Sequence, residues 1–259
     1  MRLQAWRESM PIPLQAGVVY GPVRSRRLGR SLGINVLPRG TKTCNFNCCY
    51  CQYGWTPASR RQDAGAWPSP VALAAAVDAA LARDQRVDRL TLAGNGEPTL
   101  YPMLGELVGR LNEVRAIRAP HARLAILSNA STADDPRVAQ ALRQIDECYM
   151  KLDAGDDTTL RAVNGSSVPL GRIVNALSAL EGVILQSMFV HDCGRRLDNT
   201  LTGRLDRWLD AVCRIRPQAV HVYSIDREPA WYQLTSVPAE ELRRIARRVE
   251  AEGIPAVVF

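Results

Sequence analysis

Four of the seven cysteines crowd into residues 41–55, TKTCNFNCCYCQYGW. Cys44, Cys48 and Cys51 stand in Cys-x3-Cys-x2-Cys spacing, with Cys49 as an extra thiol. Three thiolates so close on one loop can wrap a metal centre. A structural zinc ion takes four ligands in a closed tetrahedron. In a [4Fe–4S] cluster each iron needs its own ligand, so three cysteines leave one iron open to a small chelator. Cys49 abuts Cys48 and would point elsewhere, which makes it a poor fourth ligand. Buried loop cysteines or a zinc knuckle are the plainer alternatives.

Further polar groups end several apolar runs: GNGEPT (94–99), SNAST (128–132), KLDAGDD (151–157) and SIDRE (224–228). Within 148–153, Tyr149, Lys151 and Asp153 alternate with Cys148, Met150 and Leu152. Period two places the polar set on one face of a strand. A lysine and an aspartate turned inward are costly without partners; a mutual salt bridge or a bound ligand would each satisfy them. Ser128-Asn129 reads as a ligand contact or as a cap ahead of the next helix.

These groups need a frame to position them. Strand-like runs fall at 33–37, 88–93, 123–128, 148–153, 183–190 and 219–225, and helix-like runs at 70–83, 102–114, 136–144, 170–181, 200–214 and 239–251. The last helix puts Leu242, Ile245, Ala246 and Val249 on one face and arginines on the other. Strictly alternating strands and helices argue for an α/β fold of parallel βα units, two short of a full eight-stranded barrel. Such folds keep their chemistry at the carboxyl ends of the strands, where the polar clusters lie.

Composition bounds the rest. The chain has 259 residues, 46% hydrophobic and 23% charged, proportions that exclude global disorder. That length buries a core without disulfide staples. No run approaches the roughly 18–20 apolar residues of a membrane span, and the first residues lack the apolar centre of a signal peptide. A cytoplasmic protein is expected, with no membrane partner, and in that compartment cysteines serve as ligands, reactive thiols or packing groups. The net charge is +7, and Lys42 and Lys151 are the only lysines among 33 Lys and Arg residues. That balance suits an anionic partner without specifying nucleic acid.

The cysteine loop resembles that of the radical S-adenosylmethionine (SAM) superfamily. The match rests on Cys44, Cys48, Tyr50 and Cys51, a CxxxCxφC pattern with an aromatic before the last cysteine. The resemblance implies a partial (βα)6 barrel forming a single domain over 1–259, with 1–32 as an extension leading into it. It implies a [4Fe–4S] cluster on Cys44, Cys48 and Cys51, the open iron being chelated by the amino and carboxylate groups of SAM. Reductive cleavage of SAM would then give methionine and a 5′-deoxyadenosyl radical that takes hydrogen from a substrate, an oxidoreductase-like activity fed by a donor such as flavodoxin or ferredoxin. Gly94-Asn95-Gly96-Glu97 looks like the family's GGE-type motif, which receives the methionine amino group. By the same resemblance Ser128 and Asn129 bind the carboxylate or ribose, Lys151 the carboxylate, and Asp153 the ribose hydroxyls. Gln186, sharing a face with Met188, touches the ribose or the substrate.

Residues 20–33, KLDAGDDTTLRAVNG (151–165) and VHVYSIDRE (220–228) are similar to small members grouped with the wyosine-type tRNA-modifying synthases. Those synthases carry a second cluster on cysteines upstream of the CxxxCxxC loop, and here no cysteine precedes Cys44. The substrate is therefore left as a small molecule or an RNA, and a non-catalytic metal- or RNA-binding module is the remaining alternative. Arg24, Arg26, Arg27 and Arg30 form a loop cluster that could hold a phosphate through forked donors, or that is simply solvated or paired within the fold. Trp231-Tyr232 follows the sixth strand and could close over the substrate mouth, and His221 on that strand could face substrate or pack within the fold. Cys148, Cys193 and Cys213 are read as packing residues.

Overall fold

A computed structural model describes residues 12–56, 67–84 and 86–259. Strand β1 (Val19–Ser25) pairs antiparallel with β2 (Gly29–Ile34). From β2 the sheet runs parallel through β3 (Arg89–Leu92), β4 (Arg123–Ser128), β5 (Glu147–Lys151), β6 (Ile184–Asp192) and β7 (Ala219–Ser224) to β9 (Ala256–Val258). Short β8 (Leu234–Ser236) pairs with the end of β6. The sheet is open, a partial barrel with helices over its outer face.

Each helix has a local cause. In α1 (Pro70–Arg83) the Ser69 side chain caps Ala72 N, and Pro70 fits the first turn. The others are α2 (Leu104–Arg118), α3 (Pro136–Leu142), α4 (Asp157–Asn164), α5 (Leu170–Ser178), α6 (Thr202–Ile215) and α7 (Ala239–Ala251). Helix α7 buries Leu242, Ile245, Ala246 and Val249, the face read from its spacing. The core between helices and sheet includes the fully buried Trp208 of α6. Its Nε1 donates to the Leu152 carbonyl at 3.0 Å and to Ser187 Oγ at 3.2 Å, so α6 holds the end of β5 in place. No described helix is long and apolar enough to cross a membrane.

Three expectations need correction. Residues 19–32 are not an extension leading into the fold: they supply β1 and most of β2. The run 33–37 is mostly loop, since β2 ends at Ile34; its apolar side chains Val36 and Leu37 are buried all the same. Helix α4 lies in a segment where none was expected.

Candidate functional site

The cluster loop follows β2, and its backbone is held on two sides. Thr43 forms a β-bridge with Gly96: Thr43 N donates to the Asn95 carbonyl at 2.8 Å and Glu97 N to the Thr43 carbonyl at 2.9 Å. Gly96 has φ +149°, and a Cβ there would collide with the Thr43 carbonyl, so only glycine permits this approach. From the other side, Asn47 N donates to the Asn164 carbonyl at 2.8 Å and Cys49 N to the Val163 carbonyl at 2.9 Å, both in the last turn of α4.

Cys44, Cys48 and Cys51 all line one cavity of about 560 Å3, together with Tyr50, Gly94, Gly96, Glu97, Ser128, Asn129, Lys151 and Gln186. Cys49 does not line it; its side chain is buried in the core. Burial, with Cys48 and Glu97 close by, pushes the Cys44 thiol up to about 12, and burial also raises Cys48. In the metal-free chain both are thiols at neutral pH, and a metal must displace their protons. Among the described residues no three His, Cys, Asp or Glu side chains converge on a single-ion site. Three thiols along one cavity wall suit a polynuclear cluster better than a lone zinc ion, which draws its ligands to one point.

The Glu97 carboxylate is fully enclosed. Oε1 accepts from Thr99 N at 3.0 Å, Thr99 Oγ1 at 2.6 Å and Ser128 Oγ at 2.8 Å, and Oε2 accepts from Asn129 N at 2.6 Å. Burial raises its pKa against the pull of these donors. Glu97 thereby ties the end of β3 to the end of β4, while Oε2 keeps room for another donor. Asn129 Nδ2 lies 2.9 Å from Asn45 Oδ1 and 3.8 Å from Cys44 Sγ.

Lys151 and Asp153 form the salt bridge that was one of the two readings, at 3.7 Å. Burial is the largest single effect and would lower the Lys151 ammonium pKa, but Asp153, Tyr223 and Cys48 together outweigh it and hold the value above normal. Lys151 lies 4.9 Å from the Tyr50 ring centroid and faces the cavity. Asp153 does not face it. Its Oδ1 accepts from Met188 N at 2.8 Å, and its Oδ2 accepts from the Tyr50 hydroxyl and, at 2.6 Å, from Asn164 Nδ2. Three protein donors thus reach the Asp153 carboxylate, which lies outside the cavity lining, where the expectation had been ribose hydroxyls.

Asn95 is likewise turned away. Its amide pairs with Gln15, Oδ1 accepting from Gln15 N at 2.7 Å and Nδ2 donating to the Gln15 carbonyl at 3.0 Å. Gln186 faces the cavity with a buried Nε2 that has no partner among the described residues. Trp231 and Tyr232 do not line the cavity; Trp231 N donates to the Cys49 carbonyl at 2.7 Å, so the pair backs the cluster loop. His221 packs between Tyr149 and Phe259, outside the cavity lining. Cys148 is buried as expected, whereas Cys193 is exposed. The arginine cluster divides: Arg24, Arg26 and Arg27 line the cavity, Arg26 also pairing with Asp226, while Arg30 lies outside it and pairs with Asp84.

Sequence reasoning missed Asn164. Fully buried, its Nδ2 reaches Cys48 Sγ at 3.4 Å and the Tyr50 hydroxyl at 3.0 Å, besides Asp153. A signal existed: Asp156 caps Thr159 N, and Gly165 closes the helix with φ +58°, framing a short helix that ends on this residue.

The family model described as the radical SAM superfamily matches residues 39–187, from the cluster loop to β6. This chain belongs to the radical SAM superfamily. Members of that superfamily use a [4Fe–4S] cluster and SAM, and they are enzymes. A UPF0026 protein of Helicobacter pylori is 36% identical over 170 residues, covering 64% of this chain and 51% of that protein. A protein named GTPase Obg from Brachyspira hyodysenteriae is 28% identical over 235 residues, covering 90% of this chain but 33% of its own length. The chain thus spans about a third to a half of these relatives. Neither of its lysines follows a glycine, so it contains no Gly-Lys-Ser/Thr phosphate-binding loop. Among radical SAM folds, a structure of TYW1 with a lysine–pyruvate adduct bound has TM-score 0.62 at 16% identity, covering 86% of this chain and 74% of that one. At that identity the likeness is one of fold.

Proposed function

We propose that this chain is a radical SAM enzyme that holds one [4Fe–4S] cluster on Cys44, Cys48 and Cys51 and leaves one iron for the amino and carboxylate groups of SAM. The observation that carries this reading is the shared cavity: three thiols of one loop face the glycine turn, Lys151 and Gln186 across a single space. When bound, the cluster would supply the electron for reductive cleavage of SAM, the source of a radical able to remove hydrogen from a substrate.

The chain's own residues do the binding and orienting. Backbone acceptors at Gly94 and Gly96, with Glu97 Oε2, would receive the ammonium. Lys151 would hold the carboxylate and keep its charge because Asp153 lies behind it. Ser128 and Asn129 would border the same group or the ribose. Gln186 offers the ribose an unpartnered amide donor. Tyr50 closes the wall between Lys151 and Asp153. The reductant would be an external donor of flavodoxin or ferredoxin class, and the substrate a small molecule or an RNA.

Anaerobic reconstitution with iron and sulfide, followed by dithionite and SAM, tests the reading. The expected result is about four irons per chain with formation of 5′-deoxyadenosine. Fully loaded protein that yields none would overturn it.

A further inference from the structure

The cavity wall facing the cluster loop is the β1–β2 turn, and it is rich in cations. Arg24, Arg26, Arg27 and Arg227 line the cavity with Lys42 and Lys151, against only Glu97 and Asp226. Most of these cations are engaged. Arg26 pairs with Asp226 at 2.8 Å, and Arg227 donates to Gln52 Oε1 at 2.9 Å. Lys42 donates to the Gly54 carbonyl, and Lys151 pairs with Asp153.

Arg27 differs. Its guanidinium lies over the Tyr223 ring, 4.4 Å from the centroid. Its Nη1 is sealed from solvent and has no hydrogen-bond partner among the described residues. A charged donor buried without an acceptor is costly, and more so than a neutral one. A ligand oxyanion that enters the cavity would remove that cost, and guanidinium geometry matches carboxylate and phosphate. Arg27 lines the cavity, so the anion that meets its guanidinium is one that enters there. The volume of about 560 Å3 lies in the range of small-molecule sites, roughly 300–1,000 Å3, and the cluster and SAM take part of it.

We propose that Arg27 binds the carboxylate or phosphate of a small-molecule substrate, holding it on the hairpin wall opposite the cluster loop. This rests on the radical SAM reading, in which Lys151 and the glycine turn already serve the charged groups of SAM.

The test is calorimetric titration of malonate and of inorganic phosphate into the full-length, reconstituted, SAM-loaded protein at fixed ionic strength. Saturable binding of at least one probe is expected, and the probe that binds tells carboxylate from phosphate. Arg27→Ala should weaken that binding at least about tenfold, the loss of one charge-assisted hydrogen bond. Arg27→Lys should recover part of it, and SAM affinity should hold in both. Arg30→Ala, which removes a cation paired with Asp84 outside the cavity, should leave probe binding alone. Unchanged affinity in Arg27→Ala, absence of saturable binding in the wild type, or a parallel loss of SAM affinity would each overturn the proposal. Early melting with iron loss in both Arg27 variants would also overturn it, by making Arg27 a structural partner of Tyr223. Wild-type protein that cannot load iron or cleave SAM overturns the enzyme reading instead, and titration of the metal-free full chain still decides this one.

Discussion

Cys49 and Cys48 are adjacent, yet their side chains go to different places. One enters the core, and the other lines the cavity. Cys49→Ala should therefore retain iron, while Cys48→Ala, Cys44→Ala and Cys51→Ala should each lose it; iron analysis after one reconstitution protocol compares all four. Asp153 offers a second contrast. Removing its carboxylate strands the Lys151 ammonium, leaves the Tyr50 hydroxyl and the Met188 amide without an acceptor and takes one of three from Asn164. Breaking a buried pair from one side costs about 3–5 kcal/mol, so Asp153→Ala should lower the melting temperature sharply. Tyr50→Phe loses one hydrogen bond to a charged group and should cost about 1.5–3 kcal/mol. If Asp153→Ala kept full stability and only SAM affinity fell, the carboxylate would be a ligand contact after all.

At the level of elements, α4 is the support of the cluster loop. Asp156 caps it through Thr159 N at 2.7 Å and Thr159 Oγ1 at 2.9 Å, and Arg207 of α6 holds the same carboxylate at 2.7 Å. Asp156→Ala should cost about 1–2 kcal/mol, and its effect should travel along the helix. Hydrogen exchange at the Asn47 and Cys49 amides, which bond to the last turn of α4, should speed up in the variant. Exchange rates equal to wild type at those two amides would show that the loop stands without the helix. This element was hard to read because it is eight residues long and polar on most positions, too short for a periodic pattern to declare itself. The longer helices α1 and α7 and strand β4 declared themselves through apolar spacing. Strand β1 hides behind a Gly-Pro pair and an exposed face, and β8 and β9 are three residues each.

For the molecule as a whole, the working rim was legible because polar groups gather at strand ends only when something there needs them. Which of those groups face inward was not legible. Asn95 and Asp153 carry the same chemistry as their neighbours and differ only in which partners reach them first. Deeper in the fold, His221 is buried beside Tyr149 and Phe259. Burial, helped by the charges of Arg27 and Arg89 and opposed by Glu147, pulls its pKa down to about 4. Above about pH 6.5 the ring is neutral whether folded or not. Below that, the unfolded chain takes up a proton that the folded chain refuses until about pH 4. Stability should therefore fall across this window as the pH drops, by up to about 1.4 kcal/mol per pH unit. Urea denaturation at steps through the window should show a shallower slope for His221→Phe; an identical slope would assign the effect to other groups.

The Asn95 side chain acts as a strand made from an amide. It satisfies both backbone groups of Gln15 as a neighbouring strand would, and Ile12 N reaches the Gln52 carbonyl at 2.9 Å at the far end of the same segment. With Gln15 Nε2 donating to the Tyr53 hydroxyl at 3.4 Å, a stretch without regular structure is thus stitched across the flank of the cluster loop by four hydrogen bonds. Its consequence concerns air rather than catalysis. A stretch held along that flank would slow the approach of dissolved oxygen to the loop. Asn95→Ala should leave iron loading intact under argon yet bleach faster once the cuvette is opened, with the loss followed as the fall in visible absorbance. The tolerance of the loaded protein to handling would then be set by a single amide, far from any thiol in sequence.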